Sequence, residues 1–254
     1  MTSRVLITGS ADGLGLAAAS RLLDDGHDVT LHARNQTRAE DIRRAEPRAK
    51  QIVVGDFSSI AETRSVAAQA NDLGRYDAVI HNAGIGYTRA RRTETADGLE
   101  QHFQVNVLAP YLLTTLIERP SRLVWLSSGM HQGGRGDLGD PQWESRRWSG
   151  SGAYSDTKLL DLVLAFGFAR RWPQVLSNGV DPGWVATRMG GAGAPGDLAQ
   201  GAETQAWLAV SDDAAATVTG GYFYHRRQQR PSPVTQDVAF QDALFDYCES
   251  VIPS

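Results

Sequence analysis

Short apolar runs rich in β-branched residues recur along the chain, separated by stretches whose apolar positions return every three or four residues. Arg4–Thr8 (RVLIT), Asp28–His32 (DVTLH), Gln51–Val54 (QIVV), Asp77–Asn82 (DAVIHN), Arg122–Ser127 (RLVWLS), Leu176–Asp181 (LSNGVD) and Gly221–Tyr224 (GYFY) read as short buried strands. Leu14–Asp25 (LGLAAASRLLDD) is an amphipathic helix that ends before Gly26, and Leu99–Ile117 and Ala153–Trp172 read as two more. Strand alternating with helix predicts an α/β fold, a doubly wound parallel sheet of about seven strands with helices on both faces. No internal repeat or linker interrupts the pattern, so residues 1–254 are expected to form one domain. Two stretches break the rhythm. Residues 129–152 are rich in Gly, Arg and Trp, and residues 188–201 hold glycines at 190, 191, 193, 196 and 201. Irregular stretches of this length in a compact domain are usually functional lids or disorder. The second is expected to be a lid that orders on ligand binding.

Composition narrows the class. The 254 residues carry a formal net charge of -4, which gives no electrostatic footprint for nucleic acid. The single Cys248 excludes an internal disulfide and a cysteine metal cluster. No run approaches the roughly 18 apolar residues of a membrane span, and MTSRVLITGS has no signal-peptide core. A cytoplasmic protein without a metal site is expected. Only Lys50 and Lys158 among the 25 basic residues are lysines. Lys158 lies in AYSDTKL, four residues after Tyr154, so on a helix the two share a face.

The first strand and helix are joined by TGSADGLG, with Gly9, Gly13 and Gly15. Glycines in a first βα turn let the backbone approach a pyrophosphate, while the helix N-terminus supplies N–H donors and the positive dipole end. The spacing differs from the better-known G-x-G-x-x-G, and a glycine-rich turn with no ligand is the plain alternative. The position in the first βα unit favours a dinucleotide site and a Rossmann-type sheet.

Six motifs then follow in order: TGSADGLG, HNAG at 81–84, Asn106 in VNVLAP, SSG at 127–129, YSDTK at 154–158 and DPGWVAT at 181–187. In this order they resemble the short-chain dehydrogenase/reductase family over almost the whole chain. ETADGLEQHFQVNVLAPYLLT, YSDTKLL, DPGWVATRM and the GGYFYHRRQQRP tail are similar to its retinol-dehydrogenase-like branch. The resemblance implies an oxidoreductase that interconverts a carbonyl and an alcohol by hydride transfer. Tyr154 would be general acid or base, Lys158 would lower its pKa and bond the nicotinamide ribose, and Ser128 would bond the substrate oxygen. Asn106 would kink its helix and hold a water of a proton relay. Ser127 reads as a strand-end residue. The cofactor would be held by Gly9, Ser10, Asp12, Gly13, Leu14 and Gly15, by Asp56 and Phe57, and by Asn82, Ala83 and Gly84. Tyr154, Lys158, Pro182, Gly183, Val185 and Thr187 would complete its site.

The second strand ends LHARN, with Ala33 where an acidic residue would select NAD. Arg34 follows and suits a 2′-phosphate, so NADP(H) is expected to be preferred, with NAD(H) possible. Asp12 opposes this if it lies near the same phosphate. Trp143, Trp148 and Trp184 are candidates either to line an apolar pocket or to pack structurally. A non-catalytic NAD(P)-binding regulator is the alternative function, but the chain keeps Asn106, Ser128, Tyr154 and Lys158. The expected partner is a small carbonyl or alcohol. A homo-oligomer is possible through the asparagine and tyrosine helices, unless the insertion after Ser128 covers that surface.

Overall fold

The computed structural model describes residues 1–191 and 193–253. Its strands are β1 (Arg4–Ile7), β2 (Asp28–Ala33), β3 (Gln51–Val54), β4 (Ala78–His81), β5 (Arg122–Leu126), β6 (Leu176–Asp181), β7 (Tyr222–Tyr224) and β8 (Arg227–Gln228). They form one sheet in the order β3-β2-β1-β4-β5-β6-β7-β8. The first seven run parallel and β8 runs antiparallel to β7. The expected sheet is therefore present with eight strands instead of seven. Tyr224 pairs with Arg227 across the turn residues His225 and Arg226. Their φ values of 48° and 58° are those of a type I′ hairpin, which is ordinarily written with Asn or Gly. The sequence therefore carries no hairpin signal at this point.

The helices are α1 (Gly13–Asp24), α2 (Gln36–Ala45), α3 (Ile60–Asp72), α4 (Gln101–Phe103), α5 (Ala109–Leu116), α6 (Gly150–Arg171), α7 (Leu198–Val210) and α8 (Val238–Ser250). A π-helical turn, Gln104–Leu108, joins α4 to α5. Successive strand residues point to opposite faces. Val5, Ile7, Leu31 and Val124 pack with Ala18, Leu22, Ile42 and Trp207, which come from α1, α2 and α7. Leu6, Val79 and Trp125 pack with Phe103, Leu113, Leu162 and Phe168 on the other face. Both faces of the sheet are covered, which is why its strands read as apolar runs without alternation. None of the described helices is long and apolar enough to cross a membrane.

Helix α6 is unusual because every residue from Ala153 to Ala169 is buried. One side lies on β5 and β6. Leu162, with no exposed surface, fills the space left by Gly179, where a Cβ would come within 2.1 Å of its Cδ2. The insertion after Ser128 covers another side. The Asp156 carboxylate accepts from the Arg135 backbone N–H at 2.7 Å and from the Arg146 guanidinium at 2.9 Å. Gly134 lies against Ser155 and Leu159, closer than any side chain would permit. The stretch expected to be irregular from 188 to 201 instead becomes helical at Leu198, where α7 starts.

Because Leu162 fills a site with no room for collapse, Leu162→Ala is expected to cost about 2–5 kcal/mol in urea unfolding. A loss below about 1 kcal/mol would show that α6 can settle into the vacated space.

Candidate active site

The glycine turn is held by its neighbours before any ligand is considered. Gly9 has φ 62°, and a Cβ there would lie 2.6 Å from the Ala83 Cα. At Gly15 a Cβ would lie 2.6 Å from the Gly9 carbonyl oxygen. The Asn82 amide donates to the Thr8 and Gly9 carbonyls, both at 2.9 Å. The Gly9 N–H donates to His32 Nδ1 at 2.9 Å, which leaves Nε2 to donate to the Gly55 carbonyl at 2.8 Å. Burial lowers His32 to about 4, so the ring is neutral, and it stacks on Phe57 with centroids 4.2 Å apart. Two residues expected at the cofactor turn their side chains inward. The Phe57 side chain is buried against His32. Ser10 points inward, its hydroxyl donating to the Ile7 carbonyl at 2.9 Å and accepting from the His32 N–H at 2.8 Å. Gly13 opens α1, and Asp56 Oδ1 accepts from the Ser58 N–H and hydroxyl at 2.9 and 2.8 Å.

At the end of β2, Arg34 is exposed and has no ion-pair partner among the described residues. The charge of Asp12 is already answered. Its carboxylate pairs with Arg38, in the first turn of α2, and with Arg188 at 3.3 Å. Arg38 is a residue the sequence reading passed over. Its signal was an arginine in the first turn of the helix that follows β2.

The remaining predicted residues converge on one end of the sheet. Asn106 sits in the π-helical turn, which is the expected kink. Its Oδ1 accepts from the Ile85 N–H at 2.8 Å, and its Nδ2 donates to the Ile85 carbonyl at 3.1 Å and to Thr157 Oγ1 at 3.0 Å. It thereby ties the loop after β4 to α6. Gly84 faces the same point, where a Cβ would lie 3.6 Å from Lys158 Nζ. Ser127 donates to the Lys158 carbonyl at 2.7 Å, as suits a strand-end residue. Ser128 caps the short helix Gly129–Gly133, accepting from the Met130 N–H at 3.2 Å.

Lys158 is buried, with Nζ donating to the Leu126 carbonyl and to Asp161 Oδ2, both at 2.7 Å. It lies 5.8 Å from the centre of the Tyr154 ring. Burial pulls the lysine down, but Asp161 and Tyr154 pull harder and hold it above its ordinary value. Tyr154 departs from the expected lowering. Burial pushes its phenol up, Lys158 draws it down and Asp161 pushes it up again, and the net shift is upward. Asp161 was not singled out in the sequence, although it lies three residues after Lys158 on the same helical face.

A cavity of about 510 Å³ opens beside these groups, lined by Leu14, Ser127, Ser128, Tyr154, Pro182, Gly183, Val185 and Thr187. Tyr87, Met130, Trp184, Met189 and Tyr224 supply its apolar walls, and Asp181 faces it. Tyr87 packs edge-on to Tyr154 with centroids 5.6 Å apart. Of the three candidate tryptophans only Trp184 lines the cavity. Trp143 and Trp148 pack on each other at 5.6 Å, with Arg146 over Trp143, inside the insertion.

The family profile for short chain dehydrogenase matches residues 3–123. An uncharacterised oxidoreductase of Emericella nidulans, AN7799, is 44% identical over 254 residues, covering 98% of this chain and 96% of that protein. The chain belongs to the short-chain dehydrogenase/reductase family. Within it, retinol dehydrogenase 14 of Mus musculus is 31% identical over 289 residues, covering 98% of this chain and 85% of that protein. This likeness supports the retinol-dehydrogenase-like branch. A crystal structure of an uncharacterised protein from Mycobacterium paratuberculosis superimposes with a TM-score of 0.81 at 28% identity, over 98% of this chain and 92% of that one. The chain is thus an oxidoreductase of this family on a Rossmann-type sheet.

The buried histidines make this architecture acid-sensitive. Burial lowers His32 to about 4 and His81 to about 3, while both take a proton near pH 6.5 once unfolded. Between these values the unfolded chain binds more protons than the folded one, so stability falls as pH falls. Above pH 6.5 neither histidine contributes a pH dependence. The melting temperature is therefore expected to drop steadily from pH 6.5 to pH 4.5. A flat profile across that range would mean the buried rings accept protons without loss.

Proposed function

We propose that this oxidoreductase interconverts a small carbonyl compound and its alcohol with NADP(H), Tyr154 acting as general acid and base. The observation that carries the reading is that Ser128 and Tyr154 line one cavity, with the Lys158 ammonium 5.8 Å from the Tyr154 ring. That cavity abuts the glycine turn through Leu14, Val185 and Thr187.

The residues fit a nicotinamide dinucleotide. Backbone packing at Gly9, Gly15 and Gly84 leaves no space for a Cβ or only a narrow one, and the first turn of α1 offers free N–H groups to a pyrophosphate. Asn82 and Ala83 border that turn, Gly13 starts the helix, and Asp56 stands after β3 on the adenine side. Pro182, Gly183, Val185 and Thr187 would surround the nicotinamide. When bound, the cofactor supplies or accepts the hydride.

Everything else is work for the protein. Ser128 would hold the substrate oxygen against Tyr154. The phenol would deliver its proton to that oxygen as a carbonyl is reduced, or take one from an alcohol. Lys158, with one N–H left after Leu126 and Asp161 are satisfied, would reach the ribose hydroxyls. An ammonium directs single donors in separate directions, which the planar fork of arginine does not. Asn106 is already committed to Ile85 and Thr157, so its part in proton relay would fall to its backbone carbonyl. The apolar walls of the cavity favour an apolar carbonyl compound. Because the chain covers α6 with its own insertion, we propose that it acts as a monomer of 27.5 kDa.

Arg34 and Arg38 together support the NADP(H) preference, since Asp12 is neutralised by Arg38 and Arg188. A charge-assisted contact of this kind is worth about 1.5–3 kcal/mol. Arg34→Ala is expected to lower the kcat/KM ratio for NADPH over NADH by about tenfold or more. Unchanged selectivity would remove Arg34 from the phosphate site. Tyr154→Phe is expected to reduce kcat by about 10²–10⁴ while NADPH binding, followed by fluorescence, stays within a few-fold. Retention of a tenth of the wild-type kcat would refute the acid–base assignment.

A further inference from the structure

Lys158 Nζ and Asp161 form an ion pair that is sealed from water. Their side chains are 6% and 5% exposed, and they meet at 2.7 Å. The same nitrogen donates to the Leu126 carbonyl at the end of β5, also at 2.7 Å. An ammonium has three N–H groups, so the helix and the strand together fix the direction of the third. It is left for the side occupied by Gly84, whose Cβ position would lie 3.6 Å from Nζ. The pair is internal to one turn of α6, and it also decides the net charge behind the phenol.

The charged groups that face Tyr154 come from two elements. Lys158 and Asp161 approach from α6, and Asp181 from the end of β6. Tyr87 packs on its ring from the loop after β4, and Ser128 reaches it from the turn after β5. The charged group that acts on Asp161 is Lys158. Two carboxylates thus oppose one ammonium, so a phenolate would form in a region that is already net negative. Burial disfavours it further.

We propose that Asp161 is a positioning residue for Lys158, fixing the ammonium against β5 and cancelling its charge, so that Tyr154 is biased toward giving a proton to a carbonyl over taking one from an alcohol. This inference rests on the reading of Tyr154 as the acid. It names a direction that the reading leaves open, with the site prepared for reduction and oxidation confined to alkaline pH.

The test begins with the cofactor-free wild type. The tyrosinate absorbance change assigned to Tyr154, by difference from Tyr154→Phe, is expected to have a midpoint above the ordinary tyrosine value of about 10. A midpoint below 9 would overturn the proposal, whatever happens to the variants. Asp161→Asn keeps the size of the side chain and an acceptor for Nζ while removing the charge. It is expected to lower that midpoint by about 1–3 units. It should also move the rising, acid-side limb of kcat/KM for 4-nitrobenzyl alcohol oxidation by NADP+ in the same direction. Asp161→Glu should restore most of the wild-type profile. A purely structural role would lower the melting temperature and slow 4-nitrobenzaldehyde reduction and the reverse oxidation alike, with no shift in either midpoint. That result in a folded Asp161→Asn protein would overturn the proposal. The two readings fail separately. An active Tyr154→Phe defeats the acid assignment, whereas an inactive Tyr154→Phe with an unmoved Asp161→Asn midpoint defeats only the role of Asp161.

Discussion

A single buried ammonium constrains this molecule more than any other group. Placing a charge where no water reaches costs several kcal/mol unless hydrogen-bonding partners and an opposite charge are held in place around it. Lys158 finds them in the Leu126 carbonyl and the Asp161 carboxylate. That arrangement requires α6 to dock on β5 in one register. The Ser127 hydroxyl fixes the same register from the strand side by donating to the Lys158 carbonyl at 2.7 Å. With the lysine anchored, Tyr154 is placed one turn earlier on the same face. The helix that carries both residues also holds the longest run of buried residues among the described helices.

The β1–α1 side obeys a related economy of contacts. Its glycine turn is joined to β4 by Asn82, to β2 and β3 by His32, and to its own strand by Ser10. The loop that follows β4 is joined to the π-helical turn and α6 through Asn106. Hydrogen bonds thus fix the glycine turn, and the loop after β4 ties that side of the sheet to α6. Preorganisation of this kind keeps reacting groups within the narrow tolerance that proton transfer demands. It also explains why the side chains of two residues expected at the cofactor face inward. Ser10 and Phe57 shape the turn from behind.

The insertion after Ser128 has a structural role before any functional one. Asp140 gathers the N–H groups of Glu144, Ser145 and Arg146 into a tight loop. Gln142 accepts from the Glu100 N–H and donates to the Tyr247 hydroxyl. The insertion thus connects the loop before α4 to α8 and lays Trp143 against Gly152 of α6 and Trp148 against His102 of α4. The cavity beside Tyr154 takes its apolar surface from elsewhere, chiefly from Trp184 and Met189 after β6 and Tyr224 at the end of β7.

Much of this was legible along the chain. The alternation of apolar runs and helical periods is local information, so it determined the doubly wound sheet, the strand positions to within a residue or two, and the helices carrying Asn106 and Tyr154. The ordered motifs likewise placed Ser128, Tyr154, Lys158 and the glycine turn on one site, since the strand ends of such a sheet converge. What sequence could not supply were relations between residues whose partners depend on packing. The β7–β8 hairpin has no turn residues to announce it. Whether Trp143 or Trp184 meets the cavity depends on how an irregular segment folds back. Arg38 neutralises Asp12 only because α2 and the glycine turn lie side by side. The sign of the Tyr154 shift followed from burial and from the carboxylates around the ammonium, and these are properties of the assembled interior that no spacing of letters encodes.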